Sequence, residues 1–234
     1  MDEEIADFPQ SLRDPGQRDV RMNLLNEPHM KALTEFARTI RAERVGRDVP
    51  NFDPLDGGKD AECLFVLEAP GPKARDTRFV SRNNPDPTAK NWFKLNQAAN
   101  IARKRTILWN IVPWYLGDGQ RIRPPTRDER DEGLNYLLQL IEKLPALRIV
   151  VLVGGQAGRV RDDLADRLNL ANRCCHLEGM PHPAQLFINR HPENWQKLLD
   201  SLIRIAALLD GGGTCPSLTL YPASAASPVQ ESGK

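Results

Sequence analysis

Three short apolar runs, Cys63 to Leu67, Thr106 to Ile111 and Arg148 to Val153, are separated by longer stretches with helical periodicity. This alternation constrains the fold more than any other feature. Runs of this length that end at turn residues read as buried strands. Strands that alternate with helices pair in parallel and need helices on both faces. The sequence therefore predicts an α/β fold, a three-layer α/β/α sandwich around a central, mainly parallel four-stranded sheet.

Leu24 to about Arg44 reads as an amphipathic helix flanking the core. Asp86-Pro87-Thr88 offers caps for a helix from Ala89 to about Ala102. Thr126 and Glu129 have capping-box spacing, and Leu134, Leu137, Leu138 and Ile141 continue that helix. Gly154-Gly155-Gln156-Ala157-Gly158 turns into a helix reaching about Leu168, Cys174 to Leu177 is a short fourth strand, and the last helix spans about Glu193 to Leu209. Those glycines match neither the dinucleotide nor the P-loop pattern, so they read as a tight strand-to-helix turn. Residues 1–22, polar and interrupted by proline, are expected to be flexible. Residues 23–210 form the folded domain, and the Ser/Ala/Pro-rich 211–234 is expected to be a disordered tail.

At 234 residues and 40% hydrophobic content the chain can bury a full core. No apolar stretch nears the roughly 20 residues of a membrane span. The acidic opening Asp2-Glu3-Glu4 carries no basic-then-apolar leader, so a cytoplasmic monomer away from membranes is expected. With a net charge of +1, contact with nucleic acid requires a local patch. Arg103-Lys104-Arg105 and the group Arg121, Arg123 and Arg127 are candidates, although such clusters are commonly solvated faces. The four cysteines include no C-x-x-C, and adjacent Cys174-Cys175 cannot form an ordinary bridge. A zinc site from Cys174, Cys175, His176 and His182 competes with the commoner reading of such cysteines as small buried hydrophobes. We expect neither metal nor cofactor.

Glu68-Ala69-Pro70-Gly71 ends the first run, which places Glu68 at the carboxyl end of a strand. Open α/β sheets bind ligands at that edge. Far downstream, His182-Pro183-Ala184-Gln185-Leu186 is a second proline-rigidified loop, carrying a histidine. Seen alone, each candidate also has a plain structural role. Glu68 can bond loop backbone, Phe79 can be core, Asn110 can satisfy buried backbone groups, and His182 can fix a loop.

Taken in order from about Leu64 to Leu202, these segments resemble the uracil-DNA glycosylase superfamily. Glu68-Ala69-Pro70-Gly71 resembles its first motif in the form of the iron–sulfur class, Phe79-Val80-Ser81 its base-stacking segment, and Asn110 its base-reading asparagine. Arg123-Pro124-Pro125-Thr126-Arg127 and Val151-Leu152-Val153-Gly154 resemble the middle section, and His182-Pro183-Ala184 the His-Pro-Ser loop. The resemblance implies a catalytic domain in which Glu68, Asn110 and His182 are catalytic. It implies a base pocket of Ala69, Pro70, Gly71, Phe79 and Asn110, and DNA contacts from Ser81, Pro183, Ala184, Leu186 and Arg190. Leu186 would be the wedge filling the gap left by a flipped nucleotide, with His191 beside Arg190 on the backbone. Two departures matter. The cysteines do not occupy the iron–sulfur ligand positions, so no cluster is expected. Ala69 and Gly71 replace the water-activating aspartate and the pocket-guarding tyrosine of the best-known class.

The chemistry follows from residue types. Cleaving a base from deoxyribose leaves an oxocarbenium-like sugar and an anionic base, so donors must await the base before the bond breaks. A neutral His182 donating to a base carbonyl stabilises charge only as it develops. The Asn110 amide offers a donor and an acceptor to a base edge, and an aromatic ring stacks on an extruded base. Glu68 would orient water indirectly or stabilise sugar cation character. The expected activity is monofunctional hydrolysis of uracil, and of other deaminated bases, from DNA. Lys73 is the single nearby amine for lyase chemistry. A non-catalytic lesion-binding or uracil-DNA-capturing protein is the alternative on the same fold, and a nucleoside hydrolase is a further rival.

Overall fold

The structure, a computed structural model, describes residues 4–118, 121–171, 173 and 175–211. Along the chain come α1 (Pro15–Asn23), α2 (Lys31–Glu43), β1 (Asn51–Phe52), β2 (Cys63–Leu67), α3 (Pro72–Thr77), β3 (Phe79–Val80) and α4 (Pro87–Ala98). After these follow β4 (Thr106–Asn110), α5 (Arg127–Glu142), β5 (Ile149–Val153), α6 (Gly155–Gly158), α7 (Arg161–Leu170), β6 (His176–Met180), α8 (Gln185–Arg190) and α9 (Asn194–Asp210).

Four strands form one sheet in the order β4-β2-β5-β6, and every pairing is parallel. The apolar runs explain the arrangement. β4 and β5 are buried at every position and β2 at all but its last, as strands covered on both faces must be. Helices α4, α8 and α9 pack against one another, and α5 packs with α7. Rings lock the layers: Phe65 of β2 meets Trp92 of α4 edge-on at 4.8 Å, and Phe52 stacks on Trp109 at 3.9 Å. Gly133 lets α5 cross the chain closely, since a Cβ there would collide with the Ile111 carbonyl oxygen.

The expected three-layer sandwich is present, and the Thr126/Glu129 capping box closes in both directions at the start of α5. Some expected boundaries shift. The fourth strand continues to Met180, and its expected start, Cys174, lies outside the described residues, as do Cys215 and 212–234 of the expected tail. The helix expected to follow Gly154 is two helices, α6 and α7. A second, two-stranded parallel sheet pairs β1 with β3.

The expectation of a flexible 1–22 is corrected for its described part. Pro15 fits the first turn of α1, and Asp14 caps the helix by accepting from Gly16 N–H. Leu12 and Arg21 are fully buried. Arg21 Nη1 bonds Asp53 Oδ2 at 2.6 Å, and Arg103 bonds the same oxygen at 2.7 Å and Asp56 at 2.8 Å. Arg82 lies beside Asp56, and Arg103 also pairs with Asp7, so three arginines face three aspartates. Burial alone would raise the Asp53 carboxyl, but Arg103 and Arg21 hold it at about 2. Polar composition concealed this segment because its burial is ionic as well as apolar.

Breaking a buried ion pair strands the remaining charge. Arg21→Met is expected to cost about 3–5 kcal/mol of unfolding free energy, read from urea denaturation. A loss below about 1 kcal/mol, the scale of a surface pair, would contradict the buried network.

Candidate active site

Parallel pairing brings the carboxyl ends of all four strands to one edge. Register sets Leu67 of β2 opposite Asn110 of β4, and Val153 of β5 opposite Met180 of β6. The chain leaves β2 toward β4 and β5 toward β6, so strand order reverses between β2 and β5. Ligand crevices form at such switch points. At this edge lies a cavity of about 330 Å³. Its walls are Leu67 and Ala69 to Ala74, Leu108 and Asn110, Val80 to Arg82 with Asn84, Asp86 and the first turn of α4 with Trp92, and His182.

Asn110 is 3% exposed, and its Nδ2 has no hydrogen-bond partner among the described residues. A buried amide donor left unpaired costs free energy, which a ligand carbonyl facing it would recover. His182 follows β6 on the loop leading into α8. Burial pushes its ring below the ordinary histidine value, so the imidazole is neutral near pH 7. Two neighbours hold that loop. Asn91 of α4 donates to the Pro183 carbonyl at 3.1 Å and to Gln185 Oε1 at 3.3 Å. Gly154 adopts φ +84°, and a Cβ there would lie 3.0 Å from His182 Cβ. The turn after β5 thus makes room for the imidazole, a role beyond the tight turn its glycines announce.

The expected pocket residues Ala69, Pro70, Gly71 and Asn110 line this cavity together with His182. Gly71 has φ −77°, and nothing lies within 4 Å of a Cβ built on it. Glu68 is not among the lining residues. It is half-buried, and burial raises its carboxyl while the charge of Arg130 opposes the rise. Phe79 as the stacking ring is corrected: it is fully buried and packs with Leu12 and Leu25. Successive strand residues point to opposite sides, so in the two-residue β3 Val80 takes the cavity and Phe79 the interior. Trp92, which sequence reading missed, supplies the aromatic wall.

Ser81 lines the cavity, but its hydroxyl donates to Asp53 and accepts from Asn83 N–H, so as a DNA contact it is corrected. Pro183 is corrected likewise, being buried with its carbonyl taken by Asn91. Ala184 precedes α8, on which Leu186 is 84% exposed and Arg190 is also exposed. Most arginines of the basic clusters are paired with acids, Arg127 with Asp131 among them, whereas Lys104 and Arg121 have no acid within 4.0 Å among the described residues. Arg103 belongs to the buried network, Arg105 pairs with Glu62 and Asp210, and Arg123 pairs with Glu129. Among the described residues no three His, Cys, Asp or Glu side chains group as a metal site. Cys63 and Cys175 are buried and separate, with thiols that burial pushes up.

The family model described as Uracil DNA glycosylase superfamily matches residues 54–203. That span holds all four strands of the main sheet and every cavity residue named above. In structure the chain is similar to wild-type SMUG2 of Pedobacter heparinus, with a TM-score of 0.50 and 11% identity over 90% of this chain and 95% of that one. At such identity the likeness shows the fold. A solution structure from Methanosarcina acetivorans, described provisionally as a uracil DNA glycosylase, aligns with a TM-score of 0.45 and 13% identity, covering 63% of this chain and 92% of that one. No curated protein matches the chain.

The neutral imidazole is open to direct measurement. In a side-chain NMR titration, the His182 ring is expected to titrate below its ordinary value of 6.5. The unfolded chain then binds the proton more readily, so this group lowers stability as pH falls below 6.5. A midpoint at or above 6.5 would mean that the ring is solvated rather than buried in the cavity wall.

Proposed function

The chain belongs to the uracil DNA glycosylase superfamily, and on that premise we propose that it is a monofunctional DNA glycosylase. It hydrolyses the N-glycosidic bond of uracil, and of other deaminated bases, in DNA, and so initiates base excision repair. The observation that carries this reading is the buried, unpaired Asn110 Nδ2 on a cavity that also holds a neutral histidine.

An extruded base enters the cavity and presents a carbonyl oxygen to Asn110 Nδ2. The apolar walls Pro70, Leu108 and Trp92 exclude water, which strengthens each hydrogen bond to the base. As the bond breaks, negative charge gathers on the base, and the His182 N–H stabilises it at that moment. Leu186, exposed on α8, fills the gap in the duplex, and Arg190 meets the backbone. The protein works as a cytoplasmic monomer without a cofactor. A non-catalytic lesion binder is the second reading, favoured by Ala69 standing on the cavity wall where an acid would activate water.

The deciding experiment incubates purified chain with oligonucleotides bearing one uracil, hypoxanthine or xanthine and measures free base released over several turnovers. Release supports the enzyme, and stable binding without release the lesion binder. His182→Ala and Asn110→Ala are each expected to slow release about 10²-fold or more, the scale of losing one charge-stabilising donor. Rates within about threefold of wild type for both would remove this site assignment.

Gly71 sets the breadth of the pocket. Its φ of −77° suits any residue and the space beside it is open, so Gly71→Tyr is expected to fold with an unchanged Tm. The added ring should then reduce activity on hypoxanthine and xanthine more than on uracil. Equal losses on all three bases would show that Gly71 does not govern selectivity.

A further inference from the structure

Hydrolysis needs a group that takes a proton from water. In the first motif position 69 is alanine, and Glu68 is not among the residues that line the cavity. Among the described residues, the charged ones that line the cavity are Lys73, Arg82 and Asp86, so Asp86 is the one carboxylate among them. We propose that Asp86 is the water-activating base of the reaction assigned above. The proposal rests on that glycosylase reading.

Asp86 precedes α4, and its Oδ1 caps the helix by accepting from Ala89 N–H at 2.9 Å. A cap of this kind explains an aspartate at the position but uses only part of the carboxylate, which has about four acceptor sites. The remainder is available to a water. Two observations separate Asp86 from an ordinary cap. The buried carboxylates Asp53 and Asp56 are both paired with arginines, whereas no cation among the described residues lies within 4.0 Å of Asp86. Burial lifts its carboxyl above the ordinary range, against the hydrogen bonds of the first turn and the charge of Lys73. Lys73 also lines the cavity, with its ammonium 3.3 Å from Asp76 Oδ2. A half-buried acid without an ion pair, in a cleft, is a hallmark of working groups.

The step balances. The water oxygen bonds to C1′ as the C1′–N bond breaks, and the bonding pair leaves on the base. The water's proton passes to Asp86 and returns to the departing base. Asn110 Nδ2 and the His182 N–H hold the negative charge on the base while this happens. Carboxylate and donors stand on different elements of the cavity, the turn before α4 against β4 and the β6–α8 loop.

Asp86→Asn keeps the capping oxygen and the volume but loses the charge. Measured on a single-stranded uracil oligonucleotide, it is expected to lower kcat about 10²-fold or more, the usual worth of a general base. KM should stay within about threefold and the Tm should hold, because binding and cap survive. The acid limb of the wild-type kcat profile should vanish with the variant. Glu68→Gln should lose less of kcat than Asp86→Asn, since Glu68 is not among the residues that line the cavity. If Asp86→Asn does not fold, Asp86→Ser, another good cap, replaces it, and added formate should restore part of its lost rate. The proposal is overturned if the folded Asp86 variant keeps kcat within about threefold of wild type, if Glu68→Gln carries the loss, or if formate restores nothing to Asp86→Ser. A wild type that releases no base sinks the glycosylase reading as well, whereas an active wild type with an equally active Asp86 variant sinks the base assignment alone.

Discussion

The hydrogen-bond ladder of Cys63–Leu67, paired in parallel on both sides, is the constraint on which the site depends. A parallel sheet cannot turn back on itself with hairpins, so each strand ends at the same edge and each connection crosses a face through a helix. Residues far apart in sequence therefore meet at that edge. Asn110 arrives there because β4 is in register with β2 through its last residue. His182 arrives because β6 ends at Met180 opposite Val153, two residues before the histidine. A one-residue slip of β4 would turn Asn110 to the other face and leave the cavity without its donor.

A second interaction system holds another part of the cavity wall. Asn83 accepts from Arg21 and Arg103, donates to Asp7 and the Phe8 carbonyl, and takes the Leu12 N–H on its own carbonyl. Its neighbours Arg82 and Asn84 line the cavity. Arg21, Arg82 and the carboxylates Asp53 and Asp56 around it are buried, Arg103 nearly so, and they are paired with one another at the cost of desolvating several charges. The family match begins at residue 54, so α1 and this part of the support come from sequence outside it.

Much of the architecture was legible because it rests on strong local signals. The apolar runs marked the strands of the main sheet, Thr126 and Glu129 marked the start of α5, and proline and glycine after Leu67 marked the sheet edge. Asn110 and His182 were legible as candidates, and the fold brings them to one cavity. Phe79 was misread because side-chain direction in a two-residue strand depends on tertiary pairing, which residue type does not report. Residues 4–22 were misread because arginine and aspartate look solvated in sequence and become buried only when their partners, some dozens of positions away, are in place. Asp86 was visible only as a helix cap, since the cavity it faces is made by elements that follow and precede it by many residues. The role of Gly154 was hidden similarly, as its neighbour in space is His182.

The central claim is that the empty donor of Asn110 is made for a carbonyl of a nucleobase. Titrating free uracil, the simplest such product, into isotopically labelled chain tests this without any assay of turnover. The expected result is a saturable downfield shift of the Asn110 side-chain amide signal as Nδ2 gains an acceptor, with His182 ring signals moving at the same concentrations. An Asn110 signal that stays in place while uracil saturates other sites in the cavity would contradict the account.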